Sequence, residues 1–261
     1  MCRFLAYRGA PIFLEDLIAS PSHSLVQQSL HAAESKSETN GDGFGIGWYG
    51  ARPGPGLYRE VRPAWSDENL RSLCAQVEAR LFFAHVRAAT GTATTRANCH
   101  PFTDGRMLFM HNGQIGGFTQ IRRQIEAMIP DTLYPERAGT TDSEALFLAA
   151  LGLGLAEDPV CAVSAMLREV RQAMVRANIA APLRFTAALT DGAHLWAFRW
   201  ASDDAPPTLY FRDSCNPNGA KGLVVVSEPI DDKREDWHAV PSGHALIAAP
   251  DGAARLVLLE V

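Results

Sequence analysis

Met1-Cys2-Arg3-Phe4-Leu5-Ala6-Tyr7 opens the chain, and its second residue decides how the rest is read. Removal of the initiator methionine leaves Cys2 as residue one, with its thiol and a free α-amine on the same residue. An α-amine titrates near ~7.7–8.0, so at neutral pH an appreciable fraction is unprotonated and can serve as a general base. A thiol with a pKa of about 8.5 needs only modest help to become a nucleophile. Such a residue carries nucleophile and base together, without the Cys-His pair that an internal catalytic cysteine usually needs. The competing reading is structural, a small apolar residue at the start of a buried first strand.

The 261 residues, 47% hydrophobic and 20% charged, can bury a sizeable core, and a single domain over residues 2–261 is expected. A formal net charge of -5 offers no basic surface, which argues against nucleic acid or an anionic membrane as partner and favours a small neutral or zwitterionic substrate. Five widely spaced cysteines without a Cys-x-x-Cys pair argue against a disulfide framework and a zinc ribbon, so a reducing cytoplasm is the expected location. Arg8, Glu15 and Asp16 interrupt any signal-peptide pattern, and no run of about 18 apolar residues occurs. Oligomeric state is not legible.

Outward from Cys2, residues 3–8 read as a strand ending at Gly9, followed by helical stretches at 14–19 and 23–33, the second capped by Ser22. Asn40-Gly41-Asp42-Gly43-Phe44-Gly45-Ile46-Gly47-Trp48-Tyr49-Gly50 has glycine at every second position from 41 to 47, the pattern of a strand with one face closely approached by backbone or ligand. Its nominal Gly45-x-Gly47-x-x-Gly50 dinucleotide fingerprint is rejected, because Pro53-Gly54-Pro55-Gly56 follows where a helix is required. Residues 57–61 return as a hairpin strand, 66–79 read as a helix and 81–87 as a buried strand. Residues 106–110 form another strand, breaking at His111-Asn112-Gly113, and 118–128 a helix. Thr141-Asp142-Ser143-Glu144 is a capping box opening an apolar helix to about 153, with a longer helix over 159–178. From residue 183 onward only strands are expected, with an Asp191-Gly192 turn among them. The order predicts an α+β fold of antiparallel sheets with helices stacked outside them.

Four stretches place polar groups at strand ends or helix starts: His85-Val86-Arg87-Ala88-Ala89-Thr90, Asn98-Cys99-His100-Pro101-Phe102, His111-Asn112-Gly113-Gln114-Ile115 and Thr141-Asp142-Ser143-Glu144. Arg87 can offer a planar fork to a carboxylate and Thr90 a hydroxyl, or Arg87 can simply snorkel from a sheet edge. Asn112-Gly113 is either a tight turn or an oxyanion hole made of a side-chain amide and a backbone N–H. Asp142 either favours its helix N-terminus or holds a substrate ammonium. His85, His100 and His111 with Cys99 match no zinc spacing, so no metal and no cofactor are expected.

Cys2 followed in order by HVRAAT, NCHPF, HNGQI and TTDSE resembles the class II glutamine amidotransferases, members of the N-terminal-nucleophile hydrolases, from residue 2 to about 151. The resemblance implies a four-layer αββα sandwich. It implies that Cys2 attacks the side-chain amide of glutamine, with its own α-amine handling the proton, releasing ammonia and leaving a γ-glutamyl thioester. Asn112 and Gly113 would stabilise the oxyanion, Arg87 and Thr90 the α-carboxylate, and Asp142 the α-ammonium. Sugar-forming members carry Trp and His where this chain has Ala88 and Gly91, which implies a different pocket rim. No synthetase domain is expected beyond the hydrolase fold, and the opening resembles the short stand-alone members, including the γ-glutamyl hydrolase of ergothioneine biosynthesis. Three activities follow as expectations: a glutamine amidohydrolase passing ammonia to a protein partner, a hydrolase of a larger γ-glutamyl amide, or a catalytically idle glutamine-binding regulatory module.

Overall fold

A computed structural model describes residues 2–34, 39–89, 91–215, 221–250 and 254–261. Two antiparallel sheets lie face to face. The first contains β1 (Arg3–Phe13), β2 (Phe44–Trp48), β3 (Gly56–Glu60), β4 (Glu78–Val86), β9 (Tyr210–Cys215), β10 (Lys221–Val226) and β11 (His238–Ala239), in the order β11-β9-β10-β1-β4-β2-β3. The second contains β5 (Phe102–Thr103), β6 (Leu108–Ile115), β7 (Leu183–Thr190), β8 (Leu195–Ala201), β12 (His244–Ala248) and β13 (Arg255–Leu258), in the order β13-β12-β8-β7-β6-β5. Helices α1 (Glu15–Ile18), α2 (Leu25–Leu30) and α3 (Glu68–Gln76) cover the first sheet, and α4 (Phe118–Glu126), α5 (Asp142–Gly152) and α6 (Pro159–Arg176) cover the second. The architecture is the expected αββα sandwich.

Period-two alternation sorts side chains into three apolar layers. Along β1, Phe4 and Ala6 enter the layer between the sheets, while Leu5 and Tyr7 face the helices. Along β6, Leu108 and Met110 face the opposing sheet and Phe109 and Ile115 face α5. Helix α5 is buried from Ser143 to Ala150, so it forms the centre of its layer rather than an amphipathic cover.

Several local expectations are corrected. β1 runs past Gly9 to Phe13, because β4 continues to pair beside it as far as Phe13↔Glu78. The cap of α2 is Ser24, whose hydroxyl accepts from Gln27 N–H at 3.4 Å, and not Ser22. Helix α3 begins at Glu68, where the Asp67 carboxylate accepts from Leu70 N–H at 2.7 Å. Thr141 caps α5 as expected, its hydroxyl accepting from Glu144 N–H at 3.2 Å. Glu144 does not complete the capping box; it accepts from Ala138 N–H at 3.0 Å and Gly139 N–H at 2.8 Å, and pairs with Arg137 at 3.1 Å. Alternate glycines of β2 do admit close neighbours: a Cβ on Gly45 would sit 2.1 Å from the His100 carbonyl oxygen, and one on Gly47 2.9 Å from Leu108. Asp191-Gly192 is the expected turn, with Gly192 at φ 92°. No helix among the described residues is long and apolar enough to cross a membrane.

Candidate active site

The pairing Arg3↔Val86 brings the start of β1 beside the end of β4, so Cys2 lies against the chain leaving β4. Its Sγ is 3.6 Å from the Ala88 carbonyl oxygen. Cys2, Arg87, His100, His111, Gly113 and Asp142 all line one cavity of about 250 Å³, together with Gln114 and Phe118 at the end of β6 and start of α4. Burial pushes the Cys2 thiol up from its ordinary pKa, and the positive charges of Arg87 and Arg3 oppose that shift.

Arg87 is buried, and part of its fork is committed within the protein. Nη1 donates to the Asp42 carbonyl at 3.2 Å, and Nη2 to Thr92 Oγ1 at 2.6 Å and the Ala93 carbonyl at 3.3 Å. The Asp42 carboxylate in turn accepts from Ala89 N–H at 2.7 Å, and Arg87 N–H donates to the Gly43 carbonyl at 2.8 Å. The glycine-rich loop thus fixes the turn after β4 from both sides. Thr90, the other expected carboxylate ligand, lies outside the described residues.

Asn112-Gly113 is not a turn. Both residues continue β6 and pair with β7, Asn112↔Thr186 and Gly113↔Phe185. Alternation with Leu108 and Met110 turns the Asn112 side chain toward the first sheet, whose facing side carries Phe4 and Ala6 ahead of Cys2, but Asn112 itself does not line the cavity that Gly113 lines. The Asn112 amide is buried, and neither Nδ2 nor Oδ1 has a hydrogen-bond partner among the described residues. Gly113 has no room for a side chain: a Cβ would lie 2.0 Å from the Arg184 carbonyl oxygen and 2.6 Å from His111 Nε2.

Asp142 opens α5 and ties it to β6, accepting from Ile115 N–H at 2.9 Å through Oδ2 and from Ser143 N–H at 2.8 Å through Oδ1. Ser143 Oγ lies 2.8 Å from His111 Nδ1. His85 and His100 stack with ring centroids 4.2 Å apart, and His100 meets Phe102 at 4.5 Å. Burial lowers all three histidine pKa values, that of His85 to about 3, so these rings are neutral at physiological pH. No group of three or more His, Cys, Asp or Glu among the described residues is arranged to hold a metal ion.

The sequence does not single out Asp42, Thr92 or Ser143 as site residues, although Asp42 lies in the glycine-rich stretch, Ser143 in the helix-capping stretch and Thr92 two residues beyond the arginine stretch. An acid between two glycines and a hydroxyl beside a motif arginine were the available signals.

A four-layer αββα sandwich with a cysteine at the mouth of the inter-sheet space defines the N-terminal-nucleophile class of fold. Within that class, the profile of the family described as "Glutamine amidotransferases class-II" matches residues 14–204. The chain belongs to this family of enzymes. "Probable glutamine amidotransferase DUG3" of Saccharomyces cerevisiae is 32% identical over 94% of this chain and 81% of its own length. Gamma-glutamyl-hercynylcysteine sulfoxide hydrolase of Mycolicibacterium smegmatis is 30% identical over 94% of each chain. The solved structure of a glutamine aminotransferase class-II domain protein from Silicibacter pomeroyi is 39% identical, with a TM-score of 0.77 over 99% of both chains. The glutamine phosphoribosylpyrophosphate amidotransferase of B. subtilis shares the fold, with a TM-score of 0.61 at 14% identity, over 99% of this chain and 49% of its own.

Proposed function

We propose that the protein, one domain over residues 2–261, hydrolyses the side-chain amide of glutamine through Cys2 as N-terminal nucleophile. After loss of Met1, the Cys2 α-amine takes the thiol proton as Sγ attacks the amide carbon. The tetrahedral oxyanion accepts hydrogen bonds from the Asn112 amide and the Gly113 N–H. Collapse breaks the C–N bond, the α-amine returns its proton to the departing ammonia, and a γ-glutamyl thioester remains. Water then attacks the thioester carbon, releasing glutamate and restoring the thiol. Arg87, with Thr90, holds the substrate α-carboxylate, and Asp142 the α-ammonium.

The observation that carries this reading is the single cavity onto which Cys2, Arg87, Gly113 and Asp142 all open. A zwitterionic head group needs one cation and one anion beside it, and this cavity supplies both. Its volume, about 250 Å³, lies below the ~300–1,000 Å³ of pockets for drug-sized ligands and suits an amino acid. The buried Asn112 amide, next in sequence to the cavity-lining Gly113, has no partner of its own among the described residues and so has a donor to spare for an oxyanion.

A second reading keeps the chemistry and enlarges the leaving group to that of a γ-glutamyl amide, favoured by the substrate in the name of the Mycolicibacterium relative. Ammonia released in the first reading passes to a protein partner. The free thiols of Cys74, Cys99 and Cys161 accord with a reducing, cytoplasmic location.

Intact-protein mass spectrometry before and after treatment with a diazo-ketone glutamine analogue tests the reading. The expected result is a mass lacking Met1 and one adduct mapping to Cys2, abolished together with glutaminase activity in Cys2→Ala. A retained Met1 with no adduct overturns it and puts the idle binding module ahead. Turnover of γ-glutamyl amides without turnover of glutamine selects the second reading.

A further inference from the structure

The residue after the nucleophile is held from far away in the chain. Strand alternation turns the Arg3 side chain away from the cavity, to the side of Leu5 and Tyr7, and its guanidinium is fully buried. Nε pairs with Glu228 Oε2 at 3.2 Å, and Nη1 donates to the Cys2 carbonyl at 3.1 Å. Glu228, itself buried, accepts from Ala33 N–H and Glu34 N–H, each at 2.9 Å. One residue earlier, Ser227 Oγ accepts from Phe4 N–H at 3.0 Å, and Ser227 N–H donates to the Phe4 carbonyl at 3.0 Å. The Thr208 hydroxyl anchors Ser227 in turn, donating to its carbonyl at 2.7 Å. The regular pairing of β1 with β10 ends at Leu5↔Val226, so Ser227 and Glu228 extend that hold with side chains where the ladder stops.

A buried ion pair contributes little net stability, because desolvation offsets the attraction. The first residues of a chain ordinarily fray, yet a reacting group must be held within ~0.5 Å of its productive position. A guanidinium bonded to the Cys2 carbonyl fixes the peptide plane after Cys2, and with it the directions of the Cys2 amine and Cβ. We propose that Ser227 and Glu228, acting through Phe4 and Arg3, form the positioning clamp of the Cys2 nucleophile. This rests on the reading of Cys2 as nucleophile. Arg3, Ser227 and Glu228 do not line the cavity; they are positioning residues.

The double variant Arg3→Met/Glu228→Leu removes both charges at once and leaves neither buried alone. Its kcat for glutamine, and the rate of Cys2 alkylation by the diazo-ketone analogue, are expected to fall about 10- to 100-fold. KM stays unchanged because Arg87 and Asp142 are untouched. Arg3→Lys, which keeps a cation opposite Glu228 but loses the fork that also reaches the Cys2 carbonyl, is expected to fold as the parent does and to lose kcat in the same direction. It decides the matter if the double variant does not fold.

A folded variant whose Cys2 is alkylated at the parental rate overturns the inference, and so does a rise in KM at constant kcat. In both cases a parent labelled at Cys2 leaves the nucleophile reading standing. A parent unlabelled at Cys2 removes the nucleophile reading and the clamp with it.

Discussion

Three strands each change character over a two-residue step, β4 one pair ahead of β1, since His85 pairs with Phe4. Along the inter-sheet face, β1 reads Ala6, Phe4 and then Cys2; β4 reads Leu81, Phe83 and then His85; β6 reads Leu108, Met110 and then Asn112. In the apolar half every one of these side chains is buried among its neighbours from the other sheet. Toward the cavity end these strands carry a thiol, an imidazole and an amide; of the three Cys2 lines the cavity, and the buried Asn112 amide atoms have no hydrogen-bond partner among the described residues. A buried polar group left unpaired costs about 1–3 kcal/mol. The layer between the two sheets therefore holds a stabilising half and a destabilising half, and the first keeps the second in place.

Removing a polar group from the cavity end is the hardest test of that contrast. Asn112→Leu is expected to lower kcat about 10²- to 10³-fold, the effect of losing one oxyanion donor. Its melting temperature is expected to rise, because an unpaired buried amide is exchanged for an apolar group of similar size. Steady-state kinetics and a thermal melt on the same sample check both. An unchanged kcat removes Asn112 from the oxyanion site, and a lowered melting temperature breaks the division into halves.

The converse change belongs two residues back. Met110→Ala opens a cavity in the apolar half and is expected to cost about 2–5 kcal/mol of stability by urea unfolding. The kcat of the protein that remains folded stays at the parental value. A fall in kcat without loss of stability would show that the two halves are not separable.

How far the sequence discloses this contrast depends on where the deciding partner lies. Alternating glycines at 43, 45 and 47 disclosed a closely approached face, because the constraint is written on one strand. Thr141 was legible as a cap, since a cap and the N–H it satisfies are three residues apart. Asn112-Gly113 is a turn by local propensity and a strand by context, and the context is β7, about 70 residues later. Glu144 left its capping box for Arg137 and two backbone N–H groups in the segment before the helix, which no spacing rule foretells. The hold of Glu228 on Arg3 spans 225 residues and has no local signature. Candidate site residues that sit on motifs were thus readable, whereas the residues that hold them were not.

The smallest expected effect concerns protonation at the cavity end. Burial lowers the His85 pKa from 6.5 to about 3 against the opposing pull of a hydrogen bond with the His111 backbone, and the charges of Arg87 and His111 add to the cost of a further positive charge. Because the folded-state value lies below the unfolded one, the unfolded chain binds the extra proton first as pH falls. The neutral ring's contribution to stability is therefore complete above about 6.5 and is lost progressively toward about 3. His100 and His111 shift in the same direction and steepen the same acid limb. His85→Phe keeps a ring against His100 but cannot titrate, so a plot of melting temperature against pH should be shallower below 6.5 than the parent's, though not flat. Parallel plots would mean that His85 meets solvent or a partner at acid pH, and the inter-sheet face would then lose its polar half at β4.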